Sequence, residues 1–246
     1  DLHWAAMRSR HDVAVVLVAK GADVNALNNA GATPLHFAVA ARNSKIVQLL
    51  VRHKADLEIM DRQSDMTPLL LAIEQEDPET AGLLLKHGAR PDHASSKLIT
   101  PLMLAAAKGL TTIVRDLLDR GVDVNTQESN GQTALLMALA ANQVEIAEIL
   151  LANKAATDVT DRRGITALML AAQAGNAALV ESLLAAGANI DQQDKRGFTA
   201  LTGAAIVGQP DMVRLLLARG ANLQAGDTRK RTALMWAASN GQTEII

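Results

Sequence analysis

The chain has 246 residues, of which 49% are hydrophobic and only 2% aromatic, and it has no cysteine. Its core must therefore be built from aliphatic side chains, and disulfide frameworks, thiolate nucleophiles and cysteine-ligated zinc are excluded. The formal net charge of −2 gives no global field that would favour nucleic acid or a membrane surface. No apolar run reaches the ~18 residues that a bilayer-spanning helix needs, so we expect no membrane insertion and an intracellular, cytoplasmic setting.

One short pattern recurs from end to end. A threonine followed two residues later by leucine occurs seven times, at one interval of 34 residues and five of 33. These threonines are Thr33, Thr67, Thr100, Thr133, Thr166, Thr199 and Thr232. An eighth copy starts at Asp1, already inside its first helix. A fixed period of this size indicates stacked repeat units, each too small to bury its own apolar face.

The sequence pattern of each unit is typical of two short helices with a short break between them. The threonine is suited to cap the first helix, and in three copies a proline such as Pro34 follows it, where a missing N–H costs nothing. Paired aliphatic residues such as Leu183-Leu184 mark the buried stripe of the second helix. Glycine follows that helix in five copies, as a left-handed C-cap requires. Lys54 and Lys154 take its place in two copies, where we expect a strained backbone.

The segment Thr33-Pro34-Leu35-His36-Phe37-Ala38 resembles the signature of the ankyrin repeat, a unit of about 33 residues with a β-turn and two helices. The resemblance covers essentially every residue of the chain. It implies an all-α solenoid of helix–turn–helix units joined by short β-hairpin fingers. We predict a single array of about eight repeats, the first and last incomplete, and hence a fragment of a longer protein. The predicted repeats cover residues 1–27, 28–60, 61–94, 95–127, 128–160, 161–193, 194–226 and 227–246.

Taken in chain order, the first four repeats contain most of the irregularities. The first carries Val15 where most later copies have a polar residue, so we expect either that the array is a fragment of a longer one or that something covers this side chain. In the second repeat, Ser44 is predicted to cap the second helix. The third has one extra residue within 61–66, and the turn glycine becomes Asp65 there and Leu98 in the fourth. These changes indicate either drift in an exposed loop or a partner-specific finger.

The seventh repeat has Gly203 inside its first helix, where glycine costs ~1 kcal/mol relative to alanine, and we expect a soft point there. Three of the four aromatic residues, Trp4, Phe37 and Trp236, share one repeat position with Leu71, Leu104, Met137 and Leu170. We interpret these three as core residues and not as a base-stacking platform.

Motifs for catalysis or cofactor binding are missing from the sequence. It has no phosphate-binding glycine loop, zinc-peptidase motif, serine-hydrolase motif or calcium loop. His3 and His36 occupy the motif position, and the resemblance implies that they brace the fingers through backbone hydrogen bonds. His53 and His87 hold equivalent positions in adjacent repeats, but packed helices lie ~8–10 Å apart, too far to share a metal that needs ligands at ~2 Å. We therefore predict no catalytic residue, cofactor, metal site or small-molecule substrate.

In the ankyrin family, partners usually lie along the concave side and touch the finger tips and the exposed ends of the first helices. Carried onto this chain, the resemblance points to repeats 5 to 8, where basic tips border small or apolar helix ends. The candidate tip residues are Arg162, Arg163, Lys195, Arg196, Arg229 and Arg231. The candidate helix-end residues are Ala140, Ala141, Gln173, Ala174, Ile206 and Val207. The competing interpretation is that the basic residues only solubilise the tips and that neighbours half-cover Ile206 and Val207.

The predicted function is a non-catalytic protein–protein interaction scaffold that binds a protein or peptide with an apolar face and acidic residues. The alternative is a targeting or regulatory module of a larger enzyme, channel or secreted effector whose active part lies outside this chain. Nucleic-acid binding through the basic fingers is disfavoured by the near-neutral charge and the lack of exposed aromatic residues.

Overall fold

The computed structural model describes residues 1–245, which contain fifteen short α-helices and no β-strand. Two compact units divide the chain, Asp1–Asp123 and Val124–Ile246. The helices of the first unit are α1 (Leu2–Met7), α2 (His11–Ala19), α3 (Pro34–Ala40), α4 (Ser44–Arg52), α5 (Pro68–Glu74), α6 (Pro78–Lys86), α7 (Pro101–Lys108) and α8 (Thr111–Asp119). Those of the second are α9 (Ala134–Ala140), α10 (Val144–Ala152), α11 (Ala167–Gln173), α12 (Ala177–Ala185), α13 (Ala200–Val207), α14 (Pro210–Ala218) and α15 (Ala233–Ser239).

Within each unit the helices form antiparallel pairs that stack in chain order. In the first unit α1, α3, α5 and α7 pack in succession, and in the second α9, α11, α13 and α15 do the same. One alanine of each first helix permits this approach, because its methyl group lets adjacent helices come close. These alanines, all at most 1% exposed, are Ala5, Ala38, Ala72, Ala105, Ala138, Ala171, Ala204 and Ala237. The predicted helix–turn–helix stack is thus present in each unit.

The repeat threonines begin the first helices, as the sequence predicts. The Oγ1 atom of Thr166, for example, accepts a hydrogen bond from the backbone N–H of Met169 at 3.2 Å, and caps of this kind contribute about 1 kcal/mol each. The prediction that Ser44 caps α4 is wrong. Asn43 holds that position, and its Oδ1 accepts the N–H of Ile46 at 3.0 Å. Ser44 is the first helical residue of α4.

The expected backbone strain after the second helices is present. Lys54 and Lys154 have φ angles of 61° and 64°, in the left-handed region that favours glycine. The repeat geometry therefore overrides the residue type at both places.

The interpretation of the three aromatic residues as core is wrong for Trp4, which is 49% exposed. Phe37 and Trp236 are only half-buried. Their repeat position lies at the margin of the core, so what covers each ring depends on the side chains of the neighbouring repeat. Val15 is likewise 39% exposed.

The fingers between helix pairs are tight turns closed by backbone hydrogen bonds. An isolated bridge between Gly226 and Thr232 is the nearest approach to a strand pair in residues 1–245. In the second unit each finger also bonds to the next. The N–H groups of Arg162, Lys195 and Thr228 donate to the carbonyls of the preceding fingers at 2.8, 2.9 and 2.9 Å. This ladder holds consecutive finger tips side by side.

The fingers of the first unit show the effect of the irregular repeats. Arg62 N–H donates to the Ala30 carbonyl at 2.8 Å, as in the regular ladder. At the next step Ser96 N–H donates instead to the Asp65 carboxylate at 2.8 Å. A side chain of the extended turn therefore replaces the backbone bond.

The motif histidines link neighbouring repeats, as the resemblance implies. The Nε2 atoms of His3 and His36 lie 3.1 and 3.2 Å from the carbonyl oxygens of Ala32 and Met66 in the next finger. Burial lowers the pKa of His36. Its ring is therefore neutral at pH 7, with Nδ1 accepting the Thr33 N–H at 3.2 Å.

Candidate functional site

A groove of ≈690 Å³ lies within the second unit, between the first helices and the finger tips. We call this feature the groove. Its base is formed by α11, α13 and α15, and its wall by the fingers that precede α13 and α15. Its apolar lining is contributed by Ile165, Met169, Phe198, Ile206, Val207 and Trp236. Its volume falls within the ~300–1,000 Å³ that is usual for ligand sites.

A missing side chain opens the groove at α13. Gly203 lies four residues after its repeat threonine, and a Cβ atom added there would meet no other atom within 4 Å. Every other copy has a large side chain at this position. These residues are Trp4, Phe37, Leu71, Leu104, Met137, Leu170 and Trp236. The glycine is visible in the sequence, but the gap that it leaves in the lining of the groove is seen only in the structure.

Two aromatic rings form the wall of the groove beside this gap. Phe198 and Trp236 meet edge to face, with ring centroids 5.4 Å apart. The Arg196 guanidinium lies 4.4 Å from the Phe198 ring centroid, and that of Arg231 lies 3.9 Å from the Trp236 ring centroid. Such contacts hold a cation over the face of a ring. The wall therefore combines apolar rings with positive charge.

Buried aspartates organise the fingers behind the groove. Asp227 accepts the N–H groups of Arg229 and Arg231 at 2.8 and 2.9 Å, and the Trp236 indole N–H at 3.2 Å. Burial works against ionisation of Asp227, but these hydrogen bonds and the Arg231 guanidinium outweigh it and lower its pKa to about 2. Asp161 has a lowered pKa for the same balance of causes, with Ile165 and Arg163 as donors. The carboxylates are therefore ionised at neutral pH and hold the fingers in shape.

The candidate basic residues fall into two classes. Arg163, Arg196 and Arg231 form ion pairs with Asp161, Asp194 and Asp227 at 2.9, 3.0 and 2.8 Å. By contrast, Arg162, Lys195 and Arg229 are exposed and form no ion pair among residues 1–245. The first class neutralises the buried aspartates, and the charge of the second is not neutralised by a carboxylate in residues 1–245.

Arg229 differs from its counterparts in the other fingers. Arg163 and Arg196, three residues before their threonines, pair with the finger aspartate. In the last finger Arg231 takes over that pairing from the position held elsewhere by Ile165 and Phe198. Arg229 therefore lines the groove with an uncommitted guanidinium. The spacing alone does not reveal this exchange, because both arginines look equally basic in sequence.

The structure brings half of the candidate residues into the groove. Those that line it are Gln173, Arg196, Ile206, Val207, Arg229 and Arg231. Three others, Arg162, Arg163 and Lys195, border an adjacent depression of ≈330 Å³. Ala140 and Ala174 line recesses of only ≈20 and ≈10 Å³, and Ala141 is exposed outside these features. Sequence reasoning missed Phe198, Met169 and Ile165, although Phe198 and Trp236 are two of only four aromatic residues.

A family model described as "Ankyrin repeats (3 copies)" matches residues 2–95, 102–194 and 168–246. The chain belongs to the ankyrin repeat family. Ankyrin repeats generally act as protein–protein interaction modules, and their fold is known as a non-enzymatic scaffold. The human ASB11 ankyrin repeat domain has the same fold, with a TM-score of 0.75 and 24% identity over 90% of this chain and 98% of that one.

Curated relatives share segments of this ankyrin array. Putative ankyrin repeat protein FPV031 of fowlpox virus is 36% identical over 98 residues, which cover 38% of this chain and 29% of the relative. Human neurogenic locus notch homolog protein 2 is 41% identical over 103 residues, covering 39% and 4%. Mouse rabankyrin-5 is 36% identical over 86 residues, covering 35% and 7%. The matched segments are thus less than a third of each relative's length.

Two other kinds of site, metal centres and membrane spans, are not found in the described part of the ankyrin chain. Within residues 1–245, no three His, Asp or Glu side chains are grouped so that they could bind a metal ion together. None of the helices in this range has both the length and the apolar character needed to cross a bilayer.

Proposed function

We propose that this ankyrin array is a non-catalytic scaffold whose groove binds a protein or peptide with an apolar face and acidic residues. The observation that supports this most directly is the groove itself, whose apolar base lies next to basic finger tips. We call the exposed residues Arg162, Lys195 and Arg229 of these tips the rim; Arg229 lines the groove, and the other two border the adjacent depression. Binding sites are commonly concave and apolar, with a few polar groups that fix orientation. The competing interpretation is that the tips only solubilise the protein and that neighbours half-cover Ile206 and Val207. Ile206 is half-buried and Val207 is 46% exposed, but this interpretation does not account for the other apolar residues that line the groove.

The charges of the rim define the partner. Arg162, Lys195 and Arg229 extend from three successive fingers, and none is neutralised by a carboxylate in residues 1–245. Complementary charge speeds association and selects partners more than it adds affinity. An acidic peptide therefore fits this rim, and its binding should weaken with salt because the contacts are exposed.

The first prediction tests the rim with short peptides selected on the wild-type chain from a random display library. Replacing Arg162, Lys195 and Arg229 together with Glu should lower the affinity for these peptides at least about tenfold, because attraction becomes repulsion. The measurement is titration calorimetry at low and high ionic strength.

The matched control replaces Lys20, Lys45 and Lys86 with Glu. These lysines are exposed and lie on or just beyond the second helices of the first unit, so the net charge changes equally without touching the rim. Its affinity should stay near that of the wild type. If both triple variants bind equally well, or if no acidic peptide is selected, the proposed rim is rejected.

The second candidate function is that of a targeting or regulatory module in a larger enzyme, channel or secreted effector. It is favoured by the curated relatives, of whose length the matched segments cover 29% or less. The groove would then bring the catalytic or transporting part to its target. Identification of a catalytic or membrane segment in the same gene product would support this function.

Two further aspects remain our proposals. The scaffold acts inside the cell, since a cysteine-free chain fits a reducing compartment, and fractionation of the native host tests this. It does not act on nucleic acid, since Arg163, Arg196 and Arg231 already neutralise aspartates. A salt-sensitive mobility shift with DNA or RNA would overturn that statement.

A further inference from the structure

The gap above Gly203 has the chemistry of a socket for a single side chain. It lies in the groove with Phe198, Ile206 and Trp236. Because other repeats fill the equivalent position with Leu, Met, Phe or Trp, the surroundings are those of a site at the margin of the core that has lost its occupant. An apolar group entering there would exclude water from apolar surface, which is favourable.

A charged group in the same groove adds a second requirement. Arg229 lines the same groove, and its guanidinium pairs with no carboxylate in the described residues. Arg196 and Arg231 are held on Asp194 and Asp227 and on the aromatic rings, so they are already committed. A planar guanidinium binds a carboxylate through two parallel hydrogen bonds.

We propose that the groove recognises a peptide by one large apolar side chain, Leu, Met or Phe, that fills the gap above Gly203, together with a neighbouring Asp or Glu that pairs with Arg229. This specificity rests on the proposed function. It goes further because it names the apolar anchor of the peptide, its acidic neighbour and the two residues of the groove, Gly203 and Arg229, that select them. Gly203 sets the size of the anchor through the side chain it lacks. Arg229 sets the charge next to it.

The test uses the full chain and short peptides selected on it from a random display library. Gly203→Phe should fill the socket and reduce peptide affinity at least about tenfold, the loss expected when an anchor loses its pocket. Phe37 occupies the equivalent position in the second repeat, so the fold tolerates this residue there. Gly203→Leu serves as the second variant, since Leu71, Leu104 and Leu170 also hold that position.

Gly203→Ala is the matched control for the socket. The added methyl group meets nothing outside the backbone of its own helix within 4 Å, and alanine favours the helix more than glycine does. This variant should melt at a higher temperature than the wild type and still bind the selected peptides. To test the charge, Arg229→Gln should lower the affinity for acidic peptides several-fold. Lys230→Gln, one residue along the same finger, should leave this affinity unchanged.

The outcomes separate the two proposals. If no peptide binds the wild type, the proposed function fails and the specificity fails with it. Peptides that bind the wild type and Gly203→Phe equally well would overturn the anchor while leaving the scaffold intact. Selected peptides that lack Asp or Glu, or that are insensitive to Arg229→Gln, would overturn the charged neighbour.

Discussion

Two arginines in the last finger show how a single residue position decides what a charge can do. Arg231 stands where the two preceding fingers have Ile165 and Phe198, and its guanidinium binds Asp227 and covers Trp236. Arg229 is thereby released from the pairing that its counterparts make. The unpaired charge of Arg229 in the described part of the chain is therefore a consequence of the residue two positions away.

Lysine in a left-handed backbone gives a prediction at the same scale. Lys154 has a φ of 64°, which costs a non-glycine residue roughly 1–2 kcal/mol. Lys154→Gly should therefore raise the free energy of unfolding by about 0.5–1 kcal/mol, part of the gain being offset by the greater freedom of glycine in the unfolded chain.

The measurement is urea unfolding followed by circular dichroism. Lys20→Gly is the control, because Lys20 ends α2 with a φ of −87° and has no such strain to relieve. A loss of stability in Lys154→Gly would contradict the argument.

Individual residues were predictable from the sequence where the backbone decides their role. The threonine caps and the strained Lys54 and Lys154 follow from spacing alone. Trp4 and Phe198 were not predictable in the same way, because the exposure of a ring depends on what the next repeat places over it. The groove at Gly203 was likewise not predictable, because its width depends on how three neighbouring helices pack together.

The fingers of the second unit are the elements that carry the proposed recognition surface, and each is built around a buried aspartate. Asp161, Asp194 and Asp227 are at most 8% exposed and accept hydrogen bonds from their own turns. The fingers therefore derive their shape from buried carboxylates. The sequence did not show that one arginine of each finger would bind the same carboxylate.

Acid should destabilise the fingers before it affects the helices. The folded pKa of Asp227, about 2, lies below the ordinary 3.8, so its ionised form favours the folded state. That contribution is complete above pH ~4 and is lost as the pH falls through about 2. The urea midpoint of the wild type should therefore drop more steeply over this range than that of Asp227→Asn.

Asp211→Asn is the control for this prediction, since the Asp211 carboxylate is 95% exposed on α14. It should follow the wild-type pH dependence. Parallel curves for the wild type and Asp227→Asn would show that the buried carboxylate does not contribute.

For the whole molecule, the repeat period predicted the architecture almost completely, because each repeat can bury its apolar face only against its neighbours. The period passes without change through the boundary between the two units at Asp123 and Val124. The division into two units could therefore not be predicted from the sequence. The predicted limits of the eight repeats, and the idea that the chain is a fragment, stay predictions.

Nearest-neighbour stability leads to a prediction at this scale. Leu84 in α6 is completely buried, and α6 packs on α4, α5 and α8. Leu84→Ala should lower the stability of this region by about 2–5 kcal/mol. Hydrogen-exchange mass spectrometry should show faster exchange in α4 to α8, while peptide binding at the groove stays unchanged.

Leu27→Ala, at a side chain that is 56% exposed, is the matched control and should leave exchange unaltered. Loss of peptide binding in Leu84→Ala would contradict the local nature of the effect.

The position of Trp236 also has a practical consequence. The chain contains only two tryptophans, and the indole of Trp236 lines the groove beneath a guanidinium, whereas Trp4 belongs to the first unit. A ligand that seals the gap would change the polarity around the Trp236 indole. With Trp4→Phe as background, the emission spectrum of Trp236 alone would report occupancy of the groove, so that the protein itself supplies the optical signal for finding its partner.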